Sequence, residues 1–168
     1  MQHTHYTSTF TQKKHPITII CENVTNAPNI GSLFRACDAF GIEKLIFCGS
    51  DIPLGRKMTK TSRATEKVVN YQVEETILPI VNKLKNEGFT VISLEITTNS
   101  QALNQYKFNT SKPIALIIGD ENFGVSEEIL KLSDATLHIN MFGQNSSMNV
   151  VQATSICLYE ITKQFSTK

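Results

Sequence analysis

The sequence predicts an α/β domain: a mostly parallel sheet with helices on both faces. Short apolar, β-branched runs alternate along the chain with segments of helical periodicity, the signature of strand–helix–strand units. The strongest run, Ile114 to Ile118, is apolar throughout, as a strand buried on both faces must be. At 168 residues the chain is long enough for one well-buried core and short for two.

The elements follow in order. Residues 1–15 are polar and read as a flexible arm ahead of a domain at 16–168. After Pro16, Ile17 to Cys21 is a strand, and Leu45 to Cys48 is another. Between them Ile30, Leu33, Phe34, Cys37 and Phe40 recur at three and four residues, with Asn29 as N-cap and Gly41 as stop. Val68 to Val73 alternates weakly as a strand. Thr76 to Asn86 is helical through Ile77, Ile80, Val81 and Leu84, and Gly88 closes it before the strand Phe89 to Leu94. Beyond Ile114 to Ile118, a short helix spans Ser126 to Leu132, capped by Ser126 with Glu127 and Glu128 in its first turn. A last strand, Ala135 to Ile139, leads to a closing helix from about Asn149 to Phe165, with Val150, Ala153, Cys157, Leu158 and Ile161 on one face.

Composition narrows the function. With 40% hydrophobic and 18% charged residues there is no compositional case for disorder. No apolar stretch approaches bilayer-spanning length and the N-terminus has no apolar signal core, so a soluble, cytoplasmic protein is expected. Cys21, Cys37, Cys48 and Cys157 form no CxxC pair, and His3, His5, His15 and His138 have no metal-ligand spacing. Disulfides, zinc and other metals are therefore not expected, and all four histidines read as structural or incidental.

A net charge of +1 makes no global case for nucleic acid. One segment differs: Arg56, Lys57, Lys60, Arg63 and Lys67 face a single acid, Glu66. Composition alone leaves it open whether this is a solvated loop or a phosphate-contact surface.

In α/β sheets, ligands collect beyond the carboxyl ends of the strands, which singles out the loops Glu22 to Gly31, Gly119 to Ser126 and Asn140 to Asn149. Each is ambiguous by itself. Arg35, flanked by Phe34 and Ala36, either snorkels to solvent or reaches into a site. GDENFG allows a sharp turn and close ligand approach, but it lacks the Lys-Ser or Lys-Thr of a P-loop. NMFGQNSSMN is long for a connection in which Ser146 or Ser147 need only cap the closing helix.

Taken together, NAPNIGSLFRACDAFG, IALIIGDENFGVSEE and LHINMFGQNSSMNVVQA resemble the three ordered motifs of the SpoU, or TrmH-like, branch of the SPOUT methyltransferases. The resemblance covers roughly residues 16 to 165. Asp120 and Asn122 vary the second motif, and Met148 stands where leucine is frequent; neither change removes a side chain the family uses. The extra N-terminal RNA-binding domain of some relatives has no counterpart, so recognition is expected to rest on the domain itself.

The resemblance implies a trefoil knot near the carboxyl end, a homodimer, and S-adenosyl-L-methionine as cofactor. Leu94, Gly119, Ile139, Ser147 and Met148 are the corresponding cofactor-binding positions, acting largely through main-chain groups. Arg35, Asn29, Glu121, Ser147 and Asn149 correspond to the catalytic positions for methylating a ribose 2′-hydroxyl of RNA. Arg35 is either the base or, since a guanidinium normally keeps its proton, a clamp on the neighbouring phosphate. An RNA substrate supplies an anion for Arg56, Lys57, Lys60 and Arg63 and favours the phosphate-contact reading. Transfer RNA is preferred to ribosomal RNA, because one small domain can grip a compact stem-loop as a dimer. Two rivals remain: a catalytically inactive RNA-binding relative, and a flavodoxin-like signalling domain that would leave the serine- and asparagine-rich loop unexplained.

Overall fold

A computed structural model of the chain describes residues 10–166. The strands are β1 (His15–Glu22), β2 (Ile42–Cys48), β3 (Tyr71–Glu74), β4 (Thr90–Leu94), β5 (Gln101–Ala102), β6 (Ile114–Gly119) and β7 (Ala135–His138). The helices are α1 (Ala27–Ala39), α2 (Arg56–Ser62), α3 (Leu78–Asn86), α4 (Glu127–Leu132) and α5 (Val150–Ser166). Residues 1–9 of the expected arm lie outside the described residues. His15 belongs to β1 rather than to an arm: its N–H donates to Gly41 O at 2.8 Å, and it pairs with Ile42.

The seven strands form one sheet in the order β3-β2-β1-β6-β4-β7-β5. Every neighbouring pair runs parallel, so the expectation of a mostly parallel sheet holds. The order is not sequential on the carboxyl side. β6 enters between β1 and β4, and β7 enters between β4 and β5, so both late strands lie between strands formed earlier in the chain.

Both faces are covered, which explains the unbroken apolar runs. Ile17, Ile19 and Cys21 of β1 and Leu116 and Ile118 of β6 pack with Ile30, Leu33 and Phe34 of α1 and Cys157, Leu158 and Ile161 of α5. On the opposite face, Ile20, Ile46, Ala115 and Ile117 pack against Val81 and Leu84 of α3 and Ile129 of α4. The cysteines are all buried in this apolar packing, which pushes the Cys48 and Cys157 thiols up to about 12 and leaves them unreactive. No helix among the described residues is long and apolar enough to cross a membrane.

Three local features depart from expectation. The N-cap of α1 is Asn26, not Asn29: Asn26 Oδ1 accepts from Asn29 N at 3.1 Å, with Pro28 in the first turn where its missing N–H has no consequence. Ser126 stands at the N-cap of α4 without a side-chain capping bond; its own N–H donates to Glu22 Oε2 at 2.9 Å. The basic segment is not a loop throughout, since residues 56–62 form α2. Only Met58 and Ser62 of that helix are buried, too few to show an apolar stripe in the sequence.

Candidate active site

The carboxyl ends of β4, β6 and β7 open into a cleft of about 450 Å³. Leu94, Ile118, Ile139, Met148 and Val150 supply apolar wall, and Gly119 and Ser147 border it. All five positions expected to hold a cofactor, Leu94, Gly119, Ile139, Ser147 and Met148, therefore face one space. Among the described residues no lysine or arginine lines the cleft, whereas Glu95, Asp120 and Glu121 do.

The loop after β6 is folded tightly from within. Gly124 has φ +66°, and a Cβ at Gly119 would collide with the Gly124 carbonyl. Only glycine allows the two backbone segments to approach this closely. Asp120 Oδ1 accepts from Asn122 N at 2.8 Å and Phe123 N at 3.2 Å, and Gly124 N donates to Asp120 O at 2.8 Å. Glu95, the residue after β4, accepts from Val125 N at 3.0 Å and holds this loop against the neighbouring strand.

At the mouth of the cleft, three side chains from distant segments converge. Asn29 Nδ2 and Asn149 Nδ2 donate to Glu121 Oε1 at 3.0 and 2.8 Å. Asn149 Nδ2 also lies 3.2 Å from Asn29 Oδ1, and Val150 N points at Glu121 Oε1 at 3.4 Å. Asn149 caps α5, its Oδ1 accepting from Val151 N at 2.9 Å, so the capping role falls to it and not to Ser146 or Ser147.

Two expected catalytic positions stay outside this network. Ser147 lines the cleft, but its N–H and hydroxyl both turn to Asn145 Oδ1 at 3.2 Å. Arg35 is exposed on α1, does not line the cleft and has no hydrogen-bond or ion-pair partner among the described residues. It stands six residues beyond Asn29, roughly 9 Å along the helix axis.

Arg56, Lys57, Lys60 and Arg63 are all exposed and unpaired among the described residues. α2, which carries the first three, is seated on the start of α1: Thr61 Oγ1 lies 3.1 Å from Pro28 O, and a Cβ on Gly31 would run into Thr61 and Met58. The basic surface is thus mounted on the helix that supplies Asn29. Arg63 and Ala64 follow in left-handed conformation, with φ 51° and 68°.

Sequence reasoning missed three polar residues. Glu22 is buried and holds Ser126 N, and Glu95 holds Val125 N. His138 lines the cleft rather than lying incidentally in a strand, with Ser100 Oγ 2.9 Å from Nδ1 and Asn140 Oδ1 3.2 Å from Nε2. The signal for the two acids was there: Glu22 ends one apolar strand and Glu95 directly follows another, at the edge where parallel sheets place their sites.

Comparison with known proteins agrees with this geometry. The SpoU rRNA Methylase family profile matches residues 16–159. A tRNA (guanosine(18)-2′-O)-methyltransferase of Thermus thermophilus is 30% identical over 155 residues, which cover 91% of this chain and 77% of that protein. The crystal structure of the A. aeolicus TrmH/SpoU tRNA modifying enzyme superposes with a TM-score of 0.81 at 27% identity, over 91% of this chain and 77% of that one. The SpoU methyltransferase AviRb from Streptomyces viridochromogenes, solved with the cofactor AdoMet, shares the fold with a TM-score of 0.80 at 23% identity, over 94% of this chain and 63% of that one. With the profile spanning nearly all of the sheet and all three loops, the chain belongs to the SpoU rRNA methylase family.

Proposed function

We propose that this protein transfers a methyl group from S-adenosyl-L-methionine to a ribose 2′-hydroxyl of RNA, with transfer RNA preferred to ribosomal RNA. The observation that carries the reading is the convergence of Asn29, Glu121 and Asn149 at the mouth of the cleft, beside the exposed basic helix α2. The named activity of the Thermus thermophilus relative points the same way.

The cleft fits the cofactor. Its 450 Å³ is the size of a small-molecule site, and its walls combine apolar side chains with the glycine backbone of Gly119 and Gly124, which pack closely against each other. Three carboxylates, with no lysine or arginine beside them among the described residues, complement a ligand carrying a positive sulfonium. Leu94, Ile139 and Met148 would flank its adenine, and Gly119 and Ser147 would border the rest. When bound, the cofactor would supply an electrophilic methyl group; the ribose oxygen takes the methyl as the S–C bond breaks, its proton passes to solvent water, and the protein positions the hydroxyl and stabilises the charge that develops on it.

Asn29 and Asn149, each held through Glu121 Oε1, fix the geometry of that mouth. In this reading Arg35 acts as a cation: paired donors hold the phosphate next to the target ribose and stabilise the charge that develops on the ribose oxygen. Arg56, Lys57, Lys60 and Arg63 hold the RNA backbone further out.

The working unit in this reading is a cytoplasmic homodimer, supported by exposed Ile156 and Tyr159 on α5. A trefoil knot through the loops after β6 and β7 belongs to it as well, supported by the late entry of both strands into the sheet. The test is to incubate the purified protein with labelled cofactor and unmodified tRNA or rRNA transcripts, then digest to nucleosides. A 2′-O-methylnucleoside from tRNA is expected; label on a base, or in neither RNA, would overturn the reading.

A further inference from the structure

We propose that Phe123 and Phe142 form a stacking rim for an unpaired base of the RNA, beside the nucleotide whose ribose enters the cleft. The proposal rests on the methyltransferase reading and adds to it the way in which the base is held. Phe123 is 90% exposed and Phe142 96% exposed, whereas Phe34 and Phe47 in the core are fully buried. Leaving a phenyl ring in water sacrifices the burial that normally stabilises it, so a ring presented this fully invites a partner.

Their placement identifies that partner. Phe123 lines the cleft itself, and Phe142 stands one residue beyond Met141, which also lines it. The two rings come from the same two loops that supply Glu121 and Asn149. Phe123 is also held out by construction, because the Asp120 carboxylate binds both its N–H and that of Asn122 and keeps the turn from relaxing. A ribose brought to Asn29, Glu121 and Asn149 carries its base to this rim, because the cleft is taken by the cofactor. Single-stranded RNA is held in this way elsewhere, with aromatic faces stacking on bases while cations hold phosphates. Here the cations lie separately on and beside α2.

The experiment compares the full-length protein and a Phe123→Ala/Phe142→Ala variant for binding to two labelled probes: octa-adenylate, and an octamer of abasic ribose phosphates. Wild type is expected to prefer octa-adenylate by about tenfold or more, and the variant by about threefold or less. A Phe123→Tyr/Phe142→Tyr variant should restore the preference, and the salt dependence should be unchanged throughout. A preference that survives loss of both rings, or that wild type never shows, overturns the proposal. So does a fall in molecular mass by light scattering on removal of the rings, which would mean that a second copy of the chain covers them. Absence of methyl transfer by wild type would sink the enzymatic reading while leaving this base preference measurable.

Discussion

Asn149 Nδ2 donates to Glu121 Oε1 at 2.8 Å, joining the residue that caps α5 to the loop that follows β6. The same oxygen accepts from Asn29 at the start of α1. Three segments scattered through the sequence, each from one of the stretches that resemble the family's motifs, are thereby joined at one carboxylate oxygen.

Replacing that carboxylate tests the lock. Glu121 is exposed, so Glu121→Ala should lower stability by only about 1 kcal/mol, measured by urea unfolding. Methyl transfer should fall much further, on the order of a hundredfold in single-turnover rate, because two donors lose their position. Glu121→Gln keeps an acceptor and should lie between. A Glu121→Ala rate near wild type would show that the network is structural only.

The basic surface makes a separate prediction. If α2 contacts phosphates, Lys57→Ala/Lys60→Ala should weaken binding of all RNA sequences alike. It should also reduce the slope of log affinity against log salt by roughly one to two units. An unchanged slope would remove α2 from the interface.

Ala64 adopts φ 68° at an exposed position. A left-handed L-residue costs about 1–2 kcal/mol, and glycine gives back part of that gain through the freedom it has when unfolded. Ala64→Gly should therefore stabilise the protein by about 0.5–1 kcal/mol in urea unfolding. A loss of stability would contradict the strain.

His15 is buried edge-on against Phe165 at a centroid distance of 5.8 Å, and its Nδ1 has no hydrogen-bond partner among the described residues. Burial, aided by the nearby Lys13 cation, holds it below its ordinary value of 6.5. The unfolded chain therefore takes up this proton first, and stability should fall as pH drops below about 6.5 until the folded histidine also protonates. Melting temperatures from pH 7.5 to 5 should show this decline, and His15→Leu should flatten it. Equal slopes would contradict it.

The fold class was legible because burial on both sheet faces leaves its mark as unbroken apolar runs such as Ile114 to Ile118, and because Gly41 and Gly88 end their helices with positive φ. The insertion of β6 and β7 between earlier strands was not, because a strand's own residues do not encode its neighbours. α2 escaped notice because Met58 alone carries its apolar signal. At the candidate site, the three loops singled out in the sequence do converge, but the partnership of Asn29, Glu121 and Asn149 could not be read there, because only the fold brings residues 29 and 149 together. Ser147 and Arg35 matched the motifs equally well, yet they lie outside that network.

The most direct test of the cleft as the cofactor site is calorimetric titration with S-adenosylhomocysteine, run on wild type and on Gly119→Val after a melting curve shows that the variant is folded. The geometry predicts saturable one-to-one binding by wild type and none by Gly119→Val, whose side chain would run into the Gly124 carbonyl and reshape the cleft wall. No heat from wild type, or equal affinity in the folded variant, would contradict it.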